Sequence, residues 1–277
     1  MTLKRQVFAT ASRILLSALK LNKATKISCL LAEQIEPLYR REINGRQCVF
    51  YCPNELVFWR VQTHFTKEPE TIEWIQTFRE GEVLFDVGAN IGLYSIYAAL
   101  RGVDVVAFEP ESQNYALLNK NIFINQLSEQ VMCFNLALSS HDSIEYLYIP
   151  KFEWGGALNN FGVPLNWQHK EFTPIFKQGV IGFSLDSFLD FYPSKFPMHL
   201  KIDVDGLENA ILFGAKRTIE DSRLKSVLIE INESLPEDLE MIHIIENAGL
   251  SLQRKSHSEM FEDTEFKDVY NYLFLRK

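Results

Sequence analysis

Val83-Leu84-Phe85-Asp86-Val87-Gly88-Ala89-Asn90-Ile91-Gly92 is the stretch on which the fold turns. Its first five residues, apolar except for Asp86, read as a buried strand. Gly88 and Gly92 give a tight turn, and Leu93-Tyr94-Ser95-Ile96-Tyr97-Ala98-Ala99 then reads as a helix. A strand, a glycine turn and a helix in that order predict the first unit of an open sheet that binds its ligand at the carboxyl ends of its strands. Working outward, strand candidates fall at 83–87, 103–108, 131–136, 199–204, 227–231 and 271–275, with helix-length segments such as 93–100 and 113–124 between them. That alternation predicts an α/β fold with a mainly parallel sheet.

The pattern divides near Gly81. Residues 1–80 read as a helical and hairpin extension: a hairpin around 46–61 with Asn44-Gly45 as its turn signal, then a helix over 66–78 that starts near Pro69. Residues 81–277 form the main domain. One long stretch, 150–182, is rich in Gly, Asn, Pro and Trp and reads as a loop-rich insertion of the kind that serves as a lid or binding loop.

The composition, 47% hydrophobic and 23% charged over 277 residues, is that of a globular chain and excludes disorder and a disulfide miniprotein. No run is apolar enough to span a bilayer. The net charge is −8, but residues 1–32 carry six basic and no acidic residues, which leaves 22 basic against 36 acidic beyond them. An acidic body repels phosphates, so nucleic acid is not expected as a partner. Leu3, Val7, Ala11, Ile14, Ala18 and Leu21 line one face of a basic amphipathic helix. It either docks on the acidic body or, through residues 1–26, touches an anionic membrane surface or a partner. The four cysteines, Cys29, Cys48, Cys52 and Cys133, have no zinc-site spacing and read as reduced thiols. No secretory signal is evident, so a cytoplasmic location is expected, with peripheral membrane contact as an option.

The glycine loop narrows the ligand. A dinucleotide loop wants glycines at offsets 0, 2 and 5, and those offsets from Gly88 are Gly88, Asn90 and Leu93. Asp86 would sit badly beside a pyrophosphate and better beside an amino group and a sulfonium. Glu109, ending the second strand in Val105-Val106-Ala107-Phe108-Glu109-Pro110, is placed to accept the hydrogens of both ribose hydroxyls. Asp86, Gly88, Gly92 and Glu109 together suit S-adenosylmethionine.

The ordered set Asp86 to Gly92, Ala107-Phe-Glu-Pro110, Asn121-Ile-Phe-Ile-Asn125, Ala137-Leu-Ser139 and Leu200-Lys-Ile-Asp-Val-Asp-Gly-Leu-Glu208 resembles FkbM-type S-adenosylmethionine-dependent methyltransferases over roughly 81–250. The resemblance implies a Rossmann-like methyltransferase fold, a seven-stranded sheet whose last strand is antiparallel, and methyl transfer to a hydroxyl oxygen. It also implies cofactor contacts by Asp86, Gly88, Asn90 and Gly92, ribose binding by Glu109, and an adenine site at Asn135 to Ala137. Asp203 would stand beside the transferred methyl, and Glu70, within Glu68-Pro69-Glu70-Thr71, would help close over the cofactor.

Strand alternation puts Lys201, Asp203 and Asp205 on one face. Asp203 is expected to orient or deprotonate the acceptor with Lys201 as its charge partner, the plainer alternative being a structural ion pair. Glu208 fits the first turn of a helix. Glu230 and Asn232 can point to the same crevice, and with Asp203 their oxygens could hold a Mg²⁺ ion. Trp154, Asn159 and Asn160 offer an aromatic face and amides that suit a sugar or other polyhydroxylated acceptor. Of the scattered histidines, His199 reads as packing beside the sheet. Together these residues predict an O-methyltransferase acting on a carbohydrate or polyketide-like small molecule. An NAD(P)-dependent oxidoreductase and a noncatalytic docking scaffold are the alternatives on the same sheet.

Overall fold

The computed structural model describes Thr10 and residues 21–277. It falls into two compact units, residues 1–38 and 39–277. Helix α1 (Leu21–Gln34) belongs to the first. Most of the amphipathic stretch 1–26 lies outside the described residues, and so does its expected membrane contact. No described helix is long and apolar enough to cross a membrane.

The second unit opens within β1 (Leu38–Ile43), which forms a hairpin with β2 (Arg46–Tyr51). Asn44 and Gly45 join the strands with φ of 51° and 72°, the left-handed pair that a tight hairpin turn requires. The turn is where the sequence predicts it, but the strands flank it more closely than expected. Residues beyond Tyr51 are instead helix α2 (Glu55–Lys67), started by Asn54, whose side chain accepts the Val57 N–H. The helix expected over 66–78 is interrupted. Glu68 takes φ −138° and ψ 70°, and α3 (Pro69–Gln76) begins after it, because proline drives the residue before it out of the helical region.

The sheet then builds through β3 (Val83–Val87), α4 (Leu93–Ala99), β4 (Asp104–Phe108), α5 (Ser112–Ile124) and β5 (Val131–Phe134). A second sheet follows from β6 (Ala137–Leu138), β7 (Ser143–Ile149), β8 (Asn160–Phe161) and β9 (Phe176–Phe183). The expected loop insertion 150–182 therefore holds two strands, β8 and most of β9. After α6 (Leu185–Phe191) the main sheet resumes with β10 (His199–Ile202), α7 (Glu208–Phe213), α8 (Lys216–Glu220), β11 (Ser226–Asn232), α9 (Pro236–Asn247), β12 (Leu250–Ser256) and β13 (Val269–Arg276).

The order across the seven strands is β12-β13-β11-β10-β3-β4-β5. The five from β11 to β5 are parallel, and β13 runs antiparallel between β11 and β12. Strand alternation feeds two cores. Leu84, Val105 and Ala107 pack with the hairpin and α2 to α5, whereas Phe85, Val87, Val106 and Phe108 pack with α6 to α9. Helices thus cover both faces, and β3 and β10 are buried throughout, as central parallel strands are.

Candidate active site

Val87, Phe108, Ile202 and Ile229 stand in register across neighbouring strands, so β3, β4, β10 and β11 deliver the residues that follow them to one edge. Gly88 turns there with φ +82°, and a Cβ on it would lie 1.9 Å from the Asp203 carbonyl oxygen. Only glycine lets the two strand ends approach so closely. The Gly88 and Ala89 amides both donate to the Phe108 carbonyl, which locks the turn to β4.

A cavity of about 310 Å³ opens on this edge, within the size range of small-molecule sites. Of the residues singled out by sequence, Gly88, Asn90, Glu109, Ala137, Asn159, Asp203 and Glu230 line it. Glu109 is held by two amides, the Asn90 N–H on one oxygen at 2.8 Å and the Glu111 N–H on the other at 2.9 Å. Burial pushes its carboxyl up to about 8, the two amide bonds acting in the opposite direction. Asn90 has φ +50° and donates its side-chain amide to the Gly156 carbonyl, while its Oδ1 is buried without a partner among the described residues.

The far wall is acidic. Asp203 pairs with Lys201 at 2.7 Å, and Lys201 also lies 4.0 Å from Asp86. Burial, then the neighbouring charges of Asp203 and Glu208, raise the Glu230 carboxyl well above the usual range. Burial and Asp203 likewise raise Asp205, which accepts the Leu158 N–H at 2.7 Å. Glu208 is buried and caps the β10 turn through the Val204 and Gly206 amides, a structural role as expected for a helix start.

Several expected site residues lie elsewhere. Asp86 is buried on the α4 side of β3, where its carboxylate accepts the Ser95 hydroxyl and faces Lys201, and it does not border the large cavity. Alternation along β3 explains this, since Asp86 shares its side with Leu84. Lys201 borders only a smaller side chamber of about 60 Å³. Gly92 is the left-handed residue before α4, its backbone pressed against Leu118. Asn135 donates to the Glu109 and Pro110 carbonyls, leaving Leu136 and Ala137 of that segment in the lining. Glu70 accepts from Asn271. Trp154 and Asn160 are also absent from the lining. Asn232 closes a turn by accepting from Ser234, so the three-oxygen Mg²⁺ set does not assemble. Among the described residues no three His, Cys, Asp or Glu side chains converge in the manner of a metal cage.

Other lining residues escaped the sequence reading. Arg60 and Lys67 come from α2 with His64 between them, at the spacing of one helical face. That spacing was the available signal, masked by the expectation of a hairpin up to residue 61. Glu68, and not Glu70, lines the cavity. It is ion-paired with Lys67 at 2.6 Å and accepts the Tyr94 hydroxyl at 2.7 Å. Ser256 to Ser258, Phe261, Phe266 and Asn271 close the end away from Ala137.

The insertion reaches the cavity on a strap whose residues Gly156 to Asn159 line it and whose backbone is fixed in place. Asn54 donates to the Trp154 carbonyl, Arg60 Nε to Gly155, and Asn90 and Asn114 both to Gly156. The Gly155 amide returns a bond to Asn114.

Comparison with known proteins gives a domain match and two groups of relatives. The profile described as Methyltransferase FkbM domain matches residues 86–252. The tRNA (guanine(37)-N(1))-methyltransferase of Anopheles darlingi is 26% identical over 115 residues, 41% of this chain and 21% of that protein. The 31-O-demethyl-FK506 methyltransferase FkbM of Streptomyces tacrolimicus is 44% identical over 55 residues, 19% of this chain and 21% of that protein. The chain thus spans about a fifth of the length of these curated relatives. Among solved structures, magnesium protoporphyrin IX methyltransferase from Synechocystis PCC 6803 with bound SAM aligns at a TM-score of 0.46 and 11% identity, over 82% of this chain and 86% of that one. The tRNA methyltransferase matches overturn the expectation that nucleic acid is no partner. A charge summed over the whole body says nothing about how one rim or loop meets its acceptor.

Proposed function

The chain belongs to the FkbM family of S-adenosylmethionine-dependent methyltransferases, and on that premise we propose that it methylates a hydroxyl oxygen of a carbohydrate or polyketide-like acceptor. The observation that carries the reading is that Gly88, Asn90 and Glu109 share one cavity with Asp203 and Glu230. A nucleoside cradle therefore opens directly onto carboxylates with no nucleoside to hold.

The residues fit the cofactor. The amide-pinned Glu109 carboxylate is available to ribose hydroxyls, Asn90 keeps an unmatched buried Oδ1, and Gly88 leaves the room that a side chain would take. Ala137, Leu138 and Phe161 supply an apolar lining for a purine. S-adenosylmethionine brings a methyl carbon on a positively charged sulfur, so the remaining work is to place an acceptor oxygen and take its proton. Asp203, steadied by Lys201, orients the hydroxyl. Glu230 has no hydrogen bond to another described side chain and a raised proton affinity, and it accepts the proton. Alignment of this kind contributes roughly 7–11 kcal/mol in well-oriented systems.

A second reading, methyl transfer to a nucleobase nitrogen, is favoured by the tRNA methyltransferase matches. Purified protein with methyl-labelled cofactor, offered hydroxylated small molecules in one arm and total tRNA in the other, separates the two. Label in an alkali-stable ether of a small molecule supports the first reading. Label in a purine base of the RNA replaces it with the second, and absence of transfer to any acceptor, with the cofactor bound, returns the noncatalytic alternative.

A further inference from the structure

We infer that Arg60, upstream of the matched family domain, anchors the carboxylate at the amino-acid end of the cofactor. The inference rests on the reading of the large cavity as an S-adenosylmethionine site. The cofactor is a nucleoside at one end and an amino acid at the other, and its carboxylate needs a cation or several N–H donors when it is buried. Next to the large cavity, under α2, lies the side chamber of about 60 Å³. Its walls are the glycine loop from Gly88 to Ile91, Leu93, Tyr94, and the polar residues Arg60, His64, Lys67, Glu68, Lys201 and Asp203. Arg60, Lys67, Glu68, Gly88, Asn90 and Asp203 border both spaces, so the chamber continues the large cavity past the glycine loop.

Three cations face this chamber, and two are already matched. Lys67 is paired with Glu68 at 2.6 Å, and Lys201 with Asp203 at 2.7 Å. Arg60 gives its Nε to the Gly155 carbonyl at 2.7 Å, and its charge also acts on Asp205 without forming an ion pair with it. The two terminal nitrogens of its guanidinium have no hydrogen-bond or ion-pair partner among the described residues. They form the fork that binds a carboxylate through two parallel bonds. His64 adds a second, independent sign that the chamber is built for a polar guest. It is 3% exposed, and neither ring nitrogen has a partner among the described residues. Burial, reinforced by the charge of Arg41, lowers its proton affinity to about 3, so the ring stays neutral and cannot itself supply the charge.

The test compares two commercial nucleosides, S-adenosylhomocysteine, which carries the amino-acid end, and 5′-methylthioadenosine, which lacks it. Calorimetric titration of the full chain is expected to show that the wild type prefers S-adenosylhomocysteine. Arg60→Gln should weaken that ligand by about 10- to 100-fold, the range for a lost charged hydrogen bond, and leave methylthioadenosine binding within twofold. Retained methylthioadenosine binding also certifies that the variant is folded, and Arg60→Lys should recover part of the loss. A preference that survives Arg60→Gln, or that vanishes in Lys67→Gln instead, overturns the assignment while leaving the cofactor site in place. Equal weakening of both ligands also overturns it, because that pattern belongs to a strap residue. If neither nucleoside binds the wild type, the reading of the cavity falls and the inference with it.

Discussion

The two ends of the central strands bury similar residues to opposite effect. At the amino-terminal end, His199 bonds Ser226 at 2.7 Å and Glu82 at 2.9 Å, an order that resembles a hydrolase triad. Trp74 also donates to the Ser226 hydroxyl at 2.9 Å, Phe78 stacks on the imidazole at 3.6 Å, and Lys225 and the Arg79 amide complete Glu82. Every polar atom of this cluster is matched among the described residues, and none of its residues borders the cavity or its side chamber. At the carboxyl end, the buried Asn90 Oδ1 has no partner among the described residues, Asp203, Glu208 and Asp205 crowd Glu230, and the space beside them is open. Residue types alone do not separate a working site from a rivet. Unmatched groups facing an opening do.

The largest expected effect tests the open end. Asp203→Asn and Glu230→Gln should each lower kcat by about 10²- to 10⁴-fold, the span for a lost acid or base, with cofactor affinity nearly unchanged. Glu230→Gln should also flatten the acidic limb of the pH–rate profile, along which rate rises as that raised carboxyl loses its proton. Steady-state kinetics beside calorimetry reads both, and undiminished turnover would make the open end as inert as the closed one. A smaller effect probes the closed end. Ser226→Ala strands the Trp74 indole N–H and one nitrogen of His199, and urea unfolding should show a loss of about 1–3 kcal/mol, with kcat per folded molecule unchanged.

The smallest effect sharpens the contrast through two glutamates shifted in opposite directions. Glu109 lies at about 8 before ligand binds, and ribose donors favour its charged form, so cofactor binding should release a proton at pH 7. Affinity should then rise by up to tenfold per pH unit toward 8 and level off above it. Calorimetry in buffers of different ionisation enthalpy measures the proton, and Glu109→Gln should abolish the release. Glu82, despite burial, is drawn down to about 2 by the Arg79 amide, Lys225 and His199. Its stabilisation is fully present above the ordinary glutamate range near 4.3 and fades as pH falls toward 2, with no bearing on ligand affinity at neutral pH.

How legible each part was in the sequence follows from what each strand touches. Buried parallel strands such as β3 and β4 carry unbroken apolar runs bounded by glycine, so the first two units could be read directly. Strand β12, Leu250-Ser-Leu-Gln-Arg-Lys-Ser256, lies at an edge with only Leu250 buried, and its charges hid it. The glycines of β9 concealed the second sheet in the same way. Motif spacing singled out Gly88, Glu109 and Asp203, which line the cavity because their positions are fixed by strand ends. It grouped Asp86 with them, although its side of the strand carries it away from the cavity, and it did not single out Arg60, whose helix reaches the cavity from far upstream.

The strap beside the cavity is held at Trp154, Gly155 and Gly156 by backbone groups and not by side chains. Grip of that kind is indifferent to which residues come next, so Ala157 to Asn159 can be exchanged during divergence without unseating the strap. On the proposed function, substitution in that short cassette is a route to a new acceptor that leaves the nucleoside's berth unchanged.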